Sequence, residues 1–336
     1  MLSASVPKDK TGVHKHAANN QVTLYLLFII LSAFSIYAGL CFGGEFIPPF
    51  NIFSPDNSLV TLNIRLPRVL AGFMIGGGLS IVGMSFQTWF RNPLADPFIL
   101  GVAGAAAVGV VFGMIFQIDS YYGSRVLVFV FSMISIALIF LLSGIHKRGQ
   151  GVKLILIGVG LNFFFTSVIT VMHTVMSDRF SKNIILWYMG DTSSLQLRDA
   201  LFMSVFVIIC SVLLIRMGRQ MNLYMMGDDI AESSGLDMGK FSFKVFMLGS
   251  VITAILVTFC GSIGFIGIVV PHIAKIISGY DFRRNMPVSF FIGGISVVFI
   301  DTFCRTAFYP REIPLGAVTA LVGAPFFIHI LRKGLS

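Results

Sequence analysis

Ten apolar segments separated by short polar breaks account for most of the 336 residues. They run near 22–43, 66–88, 94–117, 125–144, 154–176, 199–216, 242–261, 264–279, 287–308 and 315–333. A helix of ~20 apolar residues crosses the hydrocarbon core of a bilayer. The pattern therefore predicts an all-α integral membrane protein with about ten transmembrane helices. The eighth segment is short and broken by Gly264 and Gly267. No window alternates with the period of a strand, and no repeat period stands out. The first 21 residues are polar and carry Lys8, Lys10 and Lys15. The run from Val22 to Phe42 is longer than the core of a cleaved signal peptide and reads as a first spanning helix that stays. Residues 1–21 are thus expected to be a cytoplasmic leader, and residues 22–336 a single transmembrane domain.

Composition supports this reading. Hydrophobic residues make up 56% of the chain and charged residues 12%, with mean hydropathy +0.88. A soluble chain of this length has no core large enough to hide that much apolar surface. The 34 glycines suit helices that pack closely in lipid. With the amino terminus inside, ten spans put both termini in the cytoplasm, and sixteen of the 24 Lys and Arg then fall inside. The net charge of +9 is spread over loops and forms no continuous stripe, so no nucleic-acid partner is implied. Cys41, Cys210, Cys260 and Cys304 form no C-x-x-C pair and read as small buried hydrophobes. His14 and His16 belong to the polar leader. His146, His173, His272 and His329 are scattered, which implies no metal site.

The longest polar stretch between spans, about 217–241, lies on the inner side. A turn at Gly227, Asp228 and Asp229 at a helix start, and a stop at Gly235 predict one or two short helices there. This segment reads either as a solvated loop or as a docking site for a cytoplasmic partner. Enzymatic chemistry is missing. Gly239-Lys240 lacks the upstream glycine of a phosphate-binding loop, so the chain is not expected to hydrolyse ATP, and no hydrolase or metalloprotease motif occurs. Acids at membrane depth, which an ion-coupled carrier needs to bind its driving ion, are nearly absent. Asp301 is the main one, and it stands four residues before Arg305, within pairing reach on a helix.

Three features invite functional readings. Arg65, Arg68 and Arg305 fall on the outer side, against the usual charge bias. They read either as headgroup contacts and local pairs, such as Arg305 with Glu312, or as receptors for acidic residues of an external protein, since Arg pairs bidentately with carboxylates. The pairs Gly72/Gly76 and Gly109/Gly113 have the spacing of tight helix packing. Asn92-Pro93-Leu94 marks an inner turn that Pro93 breaks and Asn92 caps.

Residues 65–101, RLPRVLAGFMIGGGLSIVGMSFQTWFRNPLADPFILG, resemble the signature of the FecCD-type permeases, the membrane subunits of ABC importers for iron-siderophores, haem and vitamin B12. Gly261 to His272 (GSIGFIGIVVPH), Tyr280 to Arg284, Asp301 with Arg305, Glu312 to Gly316 and Gly323 to Phe327 are similar to further family motifs. So is the stretch from Met221 to Leu236. The resemblance runs from about residue 60 to 333. It implies a vitamin B12 importer permease-like fold and a multi-pass permease domain in the bacterial cytoplasmic (inner) membrane. The implied partners are membrane lipid, a second copy of the chain or a homologous permease, two cytoplasmic ATPase subunits and an external substrate-binding protein. No cofactor is implied on this chain; ATP and Mg belong to the partner ATPase.

By position, the resemblance assigns Arg65, Arg68 and Arg305 to binding-protein docking. Gly227, Asp228, Ala231 and Gly235 are assigned to ATPase coupling, and Asn92, Leu94, Leu156 and Asn162 to the gate and pathway. Asn162 stands where many members have a small residue. The implied function is ATP-driven import of an iron-siderophore or related metal chelate, with haem and cobalamin as alternatives. An ion-coupled secondary carrier is the alternative from another class. The arginine assignment further implies that losing them weakens docking and leaves the fold intact.

Overall fold

A computed structural model describes residues 11–118, 120–143, 151–175, 184 and 187–334, with backbone alone at 11–20, 151–152, 329–331 and 333–334. Lys8, Lys10, His146, Lys147, Arg148, Arg179 and Lys182 lie outside the described residues. So do the side chains of His14, Lys15, His16, His329 and Lys333.

The described chain is helical: α1 (Thr11–Cys41), α2 (Pro55–Val60), α3 (Leu66–Trp89), α4 (Val102–Ile115), α5 (Tyr121–Ser143), α6 (Gly151–Val175), α7 (Leu197–Arg216), α8 (Gly218–Met225), α9 (Asp228–Ser233), α10 (Met238–Cys260), α11 (Ile266–Ser278), α12 (Phe282–Thr306) and α13 (Leu315–Gly334). Among the described residues, seven helices are long and apolar enough to cross a membrane. α4, α11 and the apolar part of α13 are shorter. Together they match the ten predicted segments, with three differences.

First, α1 begins at Thr11, so part of the polar leader is helical. Second, the helical run of the second segment begins at Pro55 and passes through a π-helical turn, Thr61–Arg65, into α3. Third, the third segment does not begin a helix at 94. Asp96 caps a 3-10 turn, Pro97–Leu100, by accepting from the Phe98 N–H, and Gly101 then turns left-handed at φ +70° before α4 starts. At 1.5 Å per residue, α4 and α11 span only ~20 Å, less than the ~30 Å hydrocarbon core. The chain between α10 and α11 is likewise non-helical. Irregular backbone is tolerated at such depth only where protein covers it, and Gly261 and Ile263 there are buried.

α3 is the hub. In an 18-residue apolar window of the run Pro55–Trp89, 89% of the residues are buried, against 17% in the corresponding window of α6. In lipid, helices associate by close packing rather than by escape from water, and the glycines of α3 permit it. A Cβ on Gly76 would overlap the Gly293 carbonyl of α12. At the inner end of α3, Trp89 stacks against Phe90 at 4.7 Å and against Phe246 of α10 at 6.0 Å. All four cysteines are buried and free.

Candidate functional site

The structure brings Arg65, Arg68 and Arg305 together at the outer ends of α1, α3 and α12. They lie on the outer side as the pattern predicts, and each is only about 5% exposed. Arg65 Nη1 donates to the carbonyls of Leu40 (2.7 Å) and Cys41 (2.9 Å), and its Nη2 donates to that of Glu45 (2.6 Å). The guanidinium thereby satisfies carbonyls that the end of α1 leaves without helical partners. Arg68 Nε donates to Asp301 Oδ1 at 2.9 Å and its Nη1 to Glu312 Oε2 at 2.7 Å. Arg305 Nη2 donates to the Gly39 carbonyl at 2.6 Å.

The expected Asp301–Arg305 pair is present but loose. Its closest approach is 3.4 Å, and neither Arg305 Nε nor Asp301 Oδ2 has a hydrogen-bond partner among the described residues. Glu312 pairs with Arg68 and not with Arg305. Thr192 Oγ1 also donates to Asp301 Oδ1, at 2.9 Å. Asp301 thus ties α3, α12 and the chain before α7 into one unit. Its loss would leave Arg68 and Arg305 buried short of negative charge. Glu312 is the exception to burial: its side chain is 44% exposed and borders an open cavity of about 830 Å³.

The inner end is built differently. Asn92 Oδ1 accepts from the Leu94 N–H at 2.9 Å, which makes the predicted turn. Arg91, beside it, adopts a left-handed φ of +49°. Its Nη2 donates to the Tyr224 carbonyl at 2.9 Å and to Asp228 Oδ1 at 2.5 Å, and its guanidinium lies 4.5 Å over the Tyr224 ring. The Tyr224 hydroxyl donates to the Trp89 carbonyl at 2.9 Å. Burial pushes the Tyr224 phenol up from its ordinary value, against the pull of Arg91.

The 217–241 segment forms two short helices, α8 and α9, as its pattern predicts. Gly227 (φ +113°) makes the turn between them and Gly235 (φ +85°) ends the second, conformations that other L-residues rarely adopt. Asn222 on α8 grips the start of α12: its Nδ2 donates to Asp281 Oδ1 at 2.7 Å, and its Oδ1 accepts from the Phe282 N–H at 3.0 Å. Hydrogen bonds from the Arg283 side chain hold the Asp281 carboxyl well below the usual carboxylate range, with burial opposing and Asn222 assisting. Ala231 is fully buried and seats α9. The exposed apolar groups of this segment are Met225, Met226 and Ile230.

On α6, Leu154 is buried, while Leu156, Phe163 and Phe164 are 60–71% exposed. Asn162 is half-buried, with its Oδ1 beside Gly104 of α4. Leu94 is exposed at the inner turn.

Sequence reasoning gave no role to Arg91, Tyr224 or the exposed methionines, and it read Asn222 only as part of the Met221–Leu236 motif. It also missed a second buried outer pair, Arg125 with Asp199 at 2.8 Å, where Tyr121 donates to the same carboxylate. Among the described residues no cluster of three or more His, Cys, Asp or Glu could hold a metal ion.

Residues 27–333 match the FecCD transport family. The chain is 33% identical to the hemin transport system permease protein HmuU of Yersinia pestis, over 82% of this chain and 83% of that protein. It is also 33% identical to the cobalamin import system permease protein BtuC of Halobacterium salinarum, over 84% of this chain and 76% of that protein. A solved structure described as an inward-facing conformation of a metal-chelate type ABC transporter superposes with a TM-score of 0.85 at 28% identity, covering 93% of this chain and 99% of that one.

Proposed function

The chain belongs to the FecCD transport family and is a multi-pass membrane permease subunit of an ABC importer, not itself an ATPase, and we propose that its cargo is an iron-siderophore or related metal chelate. Relatives named for hemin and cobalamin carry large metal-bearing ligands, which makes those two the alternatives. The observation that carries the mechanism is the link from the short helices to the inner turn. Arg91 joins Asp228 and Tyr224 on one side to the Asn92–Leu94 turn on the other. A displacement of α8 and α9 therefore reaches the end of α3 through a direct contact, and rigid helices can pass it across the bundle.

The ATPase, holding ATP and Mg, docks on α8 and α9. Gly227 and Gly235 shape that surface, Ala231 seats it from within, and Met225, Met226 and Ile230 supply its apolar contact. Interfaces favour Met and other large apolar groups at their centre. Two copies of the chain, or this chain and a homologous one, enclose the pathway along the exposed face of α6. Leu156 lines it, Asn162 sets its width near α4, and Asn92 and Leu94 form its inner gate. Weak, dispersed contacts suit a bulky ligand that must also leave, and specificity then rests with an external binding protein.

That protein docks at the arginine unit. Glu312 is its one exposed carboxylate and can turn to solvent, which leaves Arg68 Nη1 to an incoming acidic residue while Asp301 keeps Nε. Arg65 and Arg305 hold the surrounding backbone for that exchange.

The test is reconstitution of the chain with its ATPase and binding protein in vesicles, with uptake of labelled iron-siderophore, haem and cobalamin measured. ATP-dependent iron-siderophore uptake that needs all three components is the expected result. Uptake of haem or cobalamin alone would replace the cargo. Uptake by this chain alone on an ion gradient would overturn the importer reading.

A further inference from the structure

A groove of about 530 Å³ opens between α5, α7 and α10, with the Arg125–Asp199 pair at its mouth. Its walls are Val126, Phe129, Phe202, Phe206, Val251 and Ile255. Every polar residue of the lining gathers at one end, where α5 and α7 begin and α10 finishes. This is the outer end, which also carries Arg68 and Asp301.

Depth is the first argument. From Arg198 to Phe206 along α7 is ~12 Å, and from Tyr122 to Phe129 along α5 is ~10 Å, at 1.5 Å per residue. The three helices therefore wall a slot that runs from the membrane surface most of the way through one leaflet, half of the ~30 Å core. Charge is the second argument. At the mouth, Arg125 and Asp199 pair at 2.8 Å and neutralise each other. Asp199 is further committed to Tyr121 and to the Gln196 N–H. That leaves Arg198, which is exposed, lies 5.7 Å over the Tyr122 ring, and has no carboxylate partner among the described residues. Among the described residues, the mouth therefore holds one positive charge without a carboxylate partner, above an apolar slot.

We propose that this groove is a phospholipid site of the outer leaflet, with an acyl chain between α5, α7 and α10 and the headgroup phosphate on Arg198. Guanidinium binds phosphate through paired N–H donors, and Tyr122 fixes the approach from below. The site is distinct from general lipid contact because it couples one apolar slot to one cation.

The purified protein is incubated in detergent with dioleoyl phosphatidylglycerol or with dioleoylglycerol, which has the same chains and no phosphate, and bound lipid is counted by native mass spectrometry. One phosphatidylglycerol retained per chain, and no dioleoylglycerol, is expected. Arg198→Glu weakens retention roughly tenfold, and Arg198→Lys restores most of it. Val126→Trp fills the slot from an exposed position and lowers retention with the charge intact. Equal retention of the two lipids, or full retention by Arg198→Glu, overturns the proposal.

Discussion

Arg68 and Arg91 mark the two ends of α3 and are held in opposite ways. Arg68 is buried and shared between two carboxylates on distant parts of the chain. Arg91 is 42% exposed and pairs with one carboxylate on a six-residue helix. A buried ion network makes a joint that breaks as a unit, because removing one member strands the others without water. An exposed pair is worth only ~0–1 kcal/mol and can be remade. The outer end of this protein is therefore built to stay together, and the inner end to be pushed and to return.

The largest expected effect lies at the outer joint. Asp301→Ala leaves Arg68 and Arg305 buried with unbalanced charge and should cost about 3–5 kcal/mol. A thermal melt of the detergent-purified protein reads this directly, and an unchanged midpoint would dissolve the contrast between the ends. Arg91→Ala should lower stability by less than about 1 kcal/mol while reducing uptake in vesicles roughly tenfold, because the coupling between the short inner helices and α3 is lost. Equal losses in both assays would make Arg91 a merely structural residue. Glu312→Ala should leave Arg68 bound to Asp301 and raise binding-protein affinity severalfold, since a competing carboxylate is removed. A fall in affinity, read by surface plasmon resonance, would place the docking determinant on Glu312 itself.

Smaller effects sharpen the inner end. Asp281 is depressed in the folded protein, so its stabilising share is present above the ordinary value of 3.8 and is lost as pH falls toward the folded value. Hydrogen exchange at the α8–α12 junction should accelerate below about pH 4 in wild type and change less in Asp281→Asn. An acid response that is the same in both would remove Asp281 from the account. Lys240→Ala breaks an exposed pair with Asp237 and should leave the melting midpoint unchanged; a measurable drop would mean that exposed pairs here carry more than their class allows.

The legibility of the sequence divides along the same line. Local patterns read well. The spans followed from runs of apolar residues, and α8 and α9 followed from Gly227, the acidic helix start and Gly235, because each is decided within a few residues. The arginine unit did not read well. Arg68 meets its partners 233 and 244 residues away, and no local rule shows that an arginine in the first turn of a spanning helix will be covered by a distant one. The start of α4 was misplaced because hydropathy does not distinguish helix from a capped 3-10 turn. Arg91 was passed over for a third reason: its partner lies 137 residues on, and the neighbouring Asn92-Pro93 accounted for the turn without it.

The most direct measurement of the central claim is the number of ligand molecules imported per ATP hydrolysed, in vesicles holding the full assembly, for wild type, Arg91→Ala and Arg91→Lys. The account predicts that Arg91→Ala keeps its ATPase rate while the ratio falls roughly tenfold, and that Arg91→Lys recovers much of it through the pair with Asp228. A ratio that is unchanged in Arg91→Ala, or an ATPase rate that falls in step with uptake, would contradict the claim that the short inner helices drive α3 through this contact.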